Sequence, residues 1–100
     1  MIHTGCTEEH RFRFPFEAEE VAAVYITYQQ NGKTVLEKTE ESCHIADGYL
    51  LVYLTQEDNI RLECNCDVRM QIRVRLTNGR LVKSCVCTTI TDELLKKEAI

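Results

Sequence analysis

Three dipeptides, Asn31-Gly32, Asp47-Gly48 and Asn78-Gly79, constrain this chain more than any other feature. Each tolerates the positive φ that both central residues of a type I′ hairpin turn require, and each lies between β-rich runs. Three such turns in a chain of 100 residues predict an all-β fold. A chain this short is expected to build one core, so the expected organisation is one β-sandwich domain over residues 1–100.

The clearest strand is predicted at residues 68–77. There Val68, Met70, Ile72, Val74 and Leu76 alternate with Arg69, Gln71, Arg73 and Arg75, so one face turns to a core and the other to solvent. Its partner follows the Asn78-Gly79 turn at residues 80–91. A second hairpin joins residues 21–30 to 33–38, and a third joins 42–46 to 49–54. An opening strand at 10–16 sets Phe12, Phe14 and Phe16 on one face, and Pro15 within it marks an edge strand or a bulge. Two segments read as helical: one turn at 55–59 (TQEDN) and a short terminal helix at 92–98 (DELLKKE).

Seven short strands at this spacing predict an immunoglobulin-like β-sandwich of about seven antiparallel strands. The stretch LTQEDNIRLEC resembles the crossover between the fifth and sixth strands of immunoglobulin domains, where an acidic turn precedes an apolar residue and a cysteine. Two features depart from that pattern. The chain has no tryptophan, and its second and third strands are joined by a tight hairpin where an antibody domain crosses between sheets.

Charge excludes some partners. The net charge is −4, whereas nucleic-acid binders carry a basic excess that displaces condensed counterions. Neither nucleic acid nor an anionic membrane is expected as a partner. No apolar run reaches the ~18 residues of a membrane-spanning helix. The start, MIHTGCTEEH, lacks the basic and apolar regions of a secretory signal, so synthesis in the cytoplasm is expected.

Six cysteines then read as reduced thiols, several of them small buried hydrophobes. The pairs Cys64-x-Cys66 and Cys85-x-Cys87 offer four thiolates for a structural zinc, which would make the chain a zinc-stabilised adaptor. Hairpin register argues against it. A two-residue loop at Asn78-Gly79 pairs Thr77 with Arg80, Leu76 with Leu81, Ile72 with Cys85 and Met70 with Cys87, which turns both later cysteines to the core. Cys66 would then stand on the order of 13 Å along the strand from Met70, too far for one ion. The looser set His3, Cys6 and His10, with Cys43-His44, falls largely on a terminus that reads as a polar tail. No metal and no cofactor are expected.

Nor is catalysis. Cys43 and His44 are adjacent, and neighbours on a strand point to opposite faces. There is no glycine-rich phosphate loop, and no residue is assigned a catalytic role. The candidate surface is one of interaction. In YLLVYL, turning Leu50, Val52 and Leu54 inward leaves Tyr49, Leu51 and Tyr53 outward, a row suited to protein contact. Arg69, Arg73 and Arg75, with Arg80 and Lys83 near, form a second outward group. They read either as an anion-binding surface or, better suited to an acidic chain, as a solvated sheet face paired with carboxylates such as Glu37, Glu40 or Glu63.

The run RFPFEAEEVAAVYITYQQNGKTVLEKT, continuing through LTQEDNIRL and VRMQIRVRLTNGR, resembles small uncharacterised proteins encoded in prophages and other mobile elements of Gram-positive gut bacteria. Its most distinctive segments are Tyr-Ile-Thr-Tyr, Gln-Asn-Gly-Lys and Leu-Thr-Gln-Glu-Asp. A second similarity, of architecture alone, is to the β-sandwich modules of phage baseplate proteins. The resemblance implies a genetic context and not an activity; in that context an all-β domain rich in free thiols is expected to be a non-enzymatic structural or assembly subunit of a tail, baseplate or virion, made in the cytoplasm of its bacterial host. Its partners would be copies of itself or other phage structural proteins, joined by surface complementarity or strand addition to an open edge. A ligand- or glycan-binding immunoglobulin-like module is the alternative.

Overall fold

All three glycine dipeptides turn the chain back on itself between paired strands in the computed structural model, which describes residues 1–3, 5–84 and 86–93. The elements are β1 (Glu8–Arg13), β2 (Val21–Gln30), β3 (Lys33–Thr39), β4 (Cys43–Ala46), β5 (Tyr49–Leu54), α1 (Gln56–Ile60), β6 (Asp67–Leu76), β7 (Leu81–Lys83) and β8 (Cys87–Ile90). Short 3₁₀ turns at Ala18–Glu20 and Glu40–Ser42 precede β2 and β4. The expected helix at 92–98 lies mostly outside the described residues.

Two antiparallel sheets form the sandwich. One has the order β1-β5-β4; the other runs β3-β2-β6, with β7 and β8 both pairing β6. Strand alternation supplies the core from both inner faces: Val24, Ile26 and Tyr28 of β2 and Val68, Ile72, Val74 and Leu76 of β6 meet Leu50, Val52 and Leu54 of β5. Phe14 is buried among them, and Phe12 and Phe16 pack at the margin. The aromatic face expected of the opening strand is therefore present, but β1 ends at Arg13, before Pro15. Burying side chains of this size contributes roughly 1.5–3 kcal/mol each.

Among the described residues this strand order is that of an immunoglobulin sandwich from its second strand onward. With β1 in the place of strand B, β4 and β5 take the places of D and E. The strands β2, β3 and β6 become C, C′ and F, and β7 with β8 becomes G. The tight hairpin between the second and third strands is then the ordinary C–C′ connection, and the crossing between sheets falls between β1 and β2. Among the described residues no strand lies outside β1. Only Ile2 makes a contact of the first-strand kind, a parallel bridge to Thr91, with its N–H bonded to the carbonyl of Ile90 at 2.9 Å. Ile2 is buried, so the expected polar tail is pinned at that point.

The connections follow local rules. Asn31 and Gly32, and Asp47 and Gly48, all have positive φ, as type I′ turns demand. In α1, Thr55 caps the helix: its hydroxyl accepts from the N–H of Asp58, and the Asp58 carboxylate accepts from the N–H of Thr55. The buried Gln30 imitates a strand, giving one hydrogen bond to the carbonyl of Glu63 and taking one from its N–H, and so moors the loop before β6.

The last hairpin differs from expectation. Gly79 has φ +86 but Asn78 does not have positive φ, and the N–H of Leu76 bonds the carbonyl of Arg80. The loop therefore has three residues with glycine in a bulge position. Register moves by one: Arg75 pairs Leu81, and Ile72 exchanges bonds with Ser84 where Cys85 was expected. Cys85 itself lies outside the described residues. The predicted seventh strand is divided into β7, which ends at Lys83, and β8, which begins at Cys87, and Met70 pairs Cys87 as expected.

That edge position changes the reading of the thiols. Cys87 is exposed in the outermost strand, Cys6 is exposed, and Cys43, Cys64 and Cys66 are half-buried. None of the five described cysteines belongs to the buried core. Cys64 and Cys66 flank Asn65, which has positive φ, in a loop and not on a core-facing strand.

Candidate functional site

The expected surface residues fall into two groups on opposite outer faces of the sandwich. On the three-stranded sheet, Leu50, Val52 and Leu54 are buried, so Tyr49, Leu51 and Tyr53 stand outward along the central strand. Cross-strand pairing sets Arg13, Arg11 and Glu9 of β1 opposite them in that order, and His44 of β4 opposite Leu51. The guanidinium of Arg11 lies 4.2 Å from the centre of the Tyr49 ring, a cation–π stack. Tyr53 is 46% exposed. The charge of Glu9 beside it, then slight desolvation and a hydrogen bond from the phenol to Glu9, raise its pKa.

On the five-stranded sheet, Arg69, Arg73 and Arg75 stand outward from β6. Arg73 reaches Glu37 of β3 at 3.8 Å and lies 5.4 Å from the ring centre of Tyr25 on β2. The cross-strand pairing expected for a solvated face is present at this one arginine. Glu40 instead accepts from the N–H of Val24, and Arg69 and Arg75 have no carboxylate partner among the described residues. Leu81, 76% exposed, pairs with Arg75 and closes a shallow hollow of about 400 Å³ beside Tyr25 and Lys83. Tyr25 and Leu81 were not among the expected surface residues. The alternation of β2 could have found Tyr25, because it lies an odd number of positions, three, before the buried Tyr28 and so falls on the other face.

A polar cluster that the sequence did not announce lies between the sheets. His10 stands on the inner side of β1, with Nε2 3.0 Å from a Glu8 carboxylate oxygen and Nδ1 2.8 Å from the Tyr28 hydroxyl. The carboxylate only accepts, which places a proton on Nε2. Glu8 also takes a hydrogen bond from the N–H of His3. A carboxylate–imidazole–hydroxyl chain has the composition of a nucleophile relay, but its hydroxyl is in the core. Tyr28 is fully buried, and desolvation first, then the charges of Cys43, Glu8 and Asp58, push its phenol pKa well up. It stays protonated and serves as a hydrogen-bonding tie.

Cys43 and His44 do point to opposite faces: the Cys43 thiol donates to the carbonyl of Thr39 at 3.2 Å, while His44 is exposed. Among the described residues no three His, Cys, Asp or Glu side chains converge as ligands for a metal ion, and no helix is long and apolar enough to cross a membrane. Comparison of the chain with models of protein families, with curated proteins and with solved structures returns no match.

Proposed function

We propose that this chain is a non-enzymatic assembly subunit of the phage type, acting through protein–protein contacts with copies of itself or with other phage structural proteins. The observation that carries this reading is the outer face of the three-stranded sheet, where Arg11 stacks on Tyr49 within the Tyr49–Leu51–Tyr53 row. Tyrosine and arginine are enriched among residues that dominate binding energy, because each offers large contact area together with hydrogen bonding. The immunoglobulin-like frame holds that row on a rigid central strand.

Light scattering over a wide concentration range under reducing conditions tests the proposal, together with co-expression with the products of neighbouring genes. A discrete oligomer or a stoichiometric complex is expected, weakened at least tenfold by Tyr49→Ala with Tyr53→Ala while the domain stays folded. A monomer that binds none of those products would overturn it.

A second reading, a ligand- or glycan-binding module, is favoured by the hollow beside Tyr25, whose lining is largely apolar with Arg73 and Lys83 at its margin. Amide shifts confined to β2, β6 and β7 on titration with sugars would select it.

A further inference from the structure

We propose that the open edge of β1 pairs antiparallel with β1 of a second copy, joining two three-stranded sheets into one of six strands. The inference rests on the assembly reading and names its contact.

Every outer strand presents unpaired backbone groups, and most here are blunted. In β3 the register with β2 slips between Tyr28 and Gln29, leaving Val35 as an extra residue. The strand β4 has only four residues, and β7 and β8 are interrupted between them. By contrast β1 keeps an unbroken register with β5 over all six residues, and among the described residues it has no other strand neighbour. This is the side on which a complete immunoglobulin sandwich carries its first strand. A groove of about 320 Å³ runs beside it, with Met1, Ile2, Phe12 and Met70 among its lining residues.

Charge selects the occupant. The strand reads Glu8-Glu9-His10-Arg11-Phe12-Arg13, acidic in its first half and basic in its second, with Glu9, Arg11 and Arg13 exposed. Such a polarity is self-complementary only when two copies run antiparallel. With the two-fold axis at His10, Glu9 of each copy stands opposite Arg11 of the other, giving two cross-strand ion pairs on the outer face. Moving the axis to Glu9 would oppose two carboxylates, and moving it to Arg11 would oppose two guanidinium groups. Registers offset by a single residue would set inward-facing residues against outward-facing ones. In the selected register the tyrosine rows of both copies lie on one continuous face.

The test is sedimentation equilibrium of the full chain in reducing buffer, for the wild type, Arg11→Glu, Glu9→Arg and the double exchange Glu9→Arg with Arg11→Glu. Each single reversal turns both attractive pairs into repulsive ones and is expected to raise the dimer Kd on the order of thirtyfold. The double exchange restores opposite charges and is expected to return the Kd to within a few-fold of wild type. That recovery also separates pairing from loss of the Arg11–Tyr49 stack, which Arg11→Glu and the double exchange both lack. Equal dimerisation of all four chains would overturn β1 pairing, and loss of that dimer with the tyrosine double variant would leave the assembly reading standing. A double exchange as weak as the singles, or a wild type that remains monomeric, would overturn self-pairing, leaving the neighbouring gene products to decide the assembly reading.

Discussion

The hydroxyl of Tyr28, on β2, and Nδ1 of His10, on β1, lie 2.8 Å apart, so a polar contact ties the inner faces of the two sheets. Glu8 holds the far side of the same imidazole at 3.0 Å. Removing the hydroxyl alone with Tyr28→Phe leaves the ring packing and the Glu8 contact but deprives Nδ1 of the half-buried imidazole of its partner. The expected loss of stability is about 1–2 kcal/mol, read from urea midpoints at pH 8. A midpoint equal to that of wild type would mean the contact contributes nothing.

Alkaline pH should weaken the fold in two steps. Burial, then the charge of Glu40, push the Cys43 thiol up to about 11 against the countering Lys38 ammonium, from an ordinary value of 9.0. Below the ordinary value the thiol is protonated whether the chain is folded or not, and stability is unaffected. Between there and the raised value the unfolded chain releases the proton while the folded chain keeps it, so stability falls as pH rises. Tyr28 adds a further fall beginning near its ordinary value of 10.0. Urea titrations at pH 8 and 10 should show a smaller decline for Cys43→Ala than for wild type.

At acid pH the relevant pair is Lys38 and Asp58, 2.6 Å apart. Burial pushes the Asp58 carboxyl up, but the hydrogen bonds from Lys38 and Thr55 together outweigh it and hold the group below its ordinary 3.8. Its stabilisation is present above that ordinary value and is lost as pH falls through the depressed one. Asp58→Asn keeps part of the helix cap but loses the ion pair. Its thermal midpoint should lie below that of wild type at pH 6, and the gap should narrow toward pH 2.

The Asn78-Gly79 turn offers a test of backbone chemistry free of packing. A Cβ at Gly79 would meet nothing within 4 Å, so the whole cost of Gly79→Ala comes from its φ of +86. That cost should be about 1–2 kcal/mol, and Gly79→Asn should lose less, because asparagine tolerates the left-handed region. Equal midpoints for the two variants would show that the turn relaxes.

Much of this frame is legible in the sequence because it is set by local rules. The alternation of Val68 to Leu76 against Arg69 to Arg75, and the two turns in which both residues take positive φ, each specify their own strand pair. The outward Tyr49, Leu51 and Tyr53 follow from the same alternation. What escaped depends on contacts far apart in the chain. His10 becomes an inter-sheet residue only when β1 packs against β2, and nothing near His10 in the sequence announces Tyr28. The same dipeptide can close a two-residue or a three-residue loop, and the choice at Asn78-Gly79 moved Leu81 onto Arg75. The two candidate groups were foreseen as outward, but strands alone do not reveal that they share no face.

The parallel bridge between Ile2 and Thr91 carries one last implication, a mechanical one. Tension transmitted through the residues before Ile2 and those after Thr91 would slide these two segments lengthwise past each other. The bonds from the N–H of Ile2 to Ile90 and from the N–H of Asp92 to Ile2 would then be strained together and not peeled in turn. A chain pulled through its two ends would resist there as a clasp does, giving way only when both bonds fail at once.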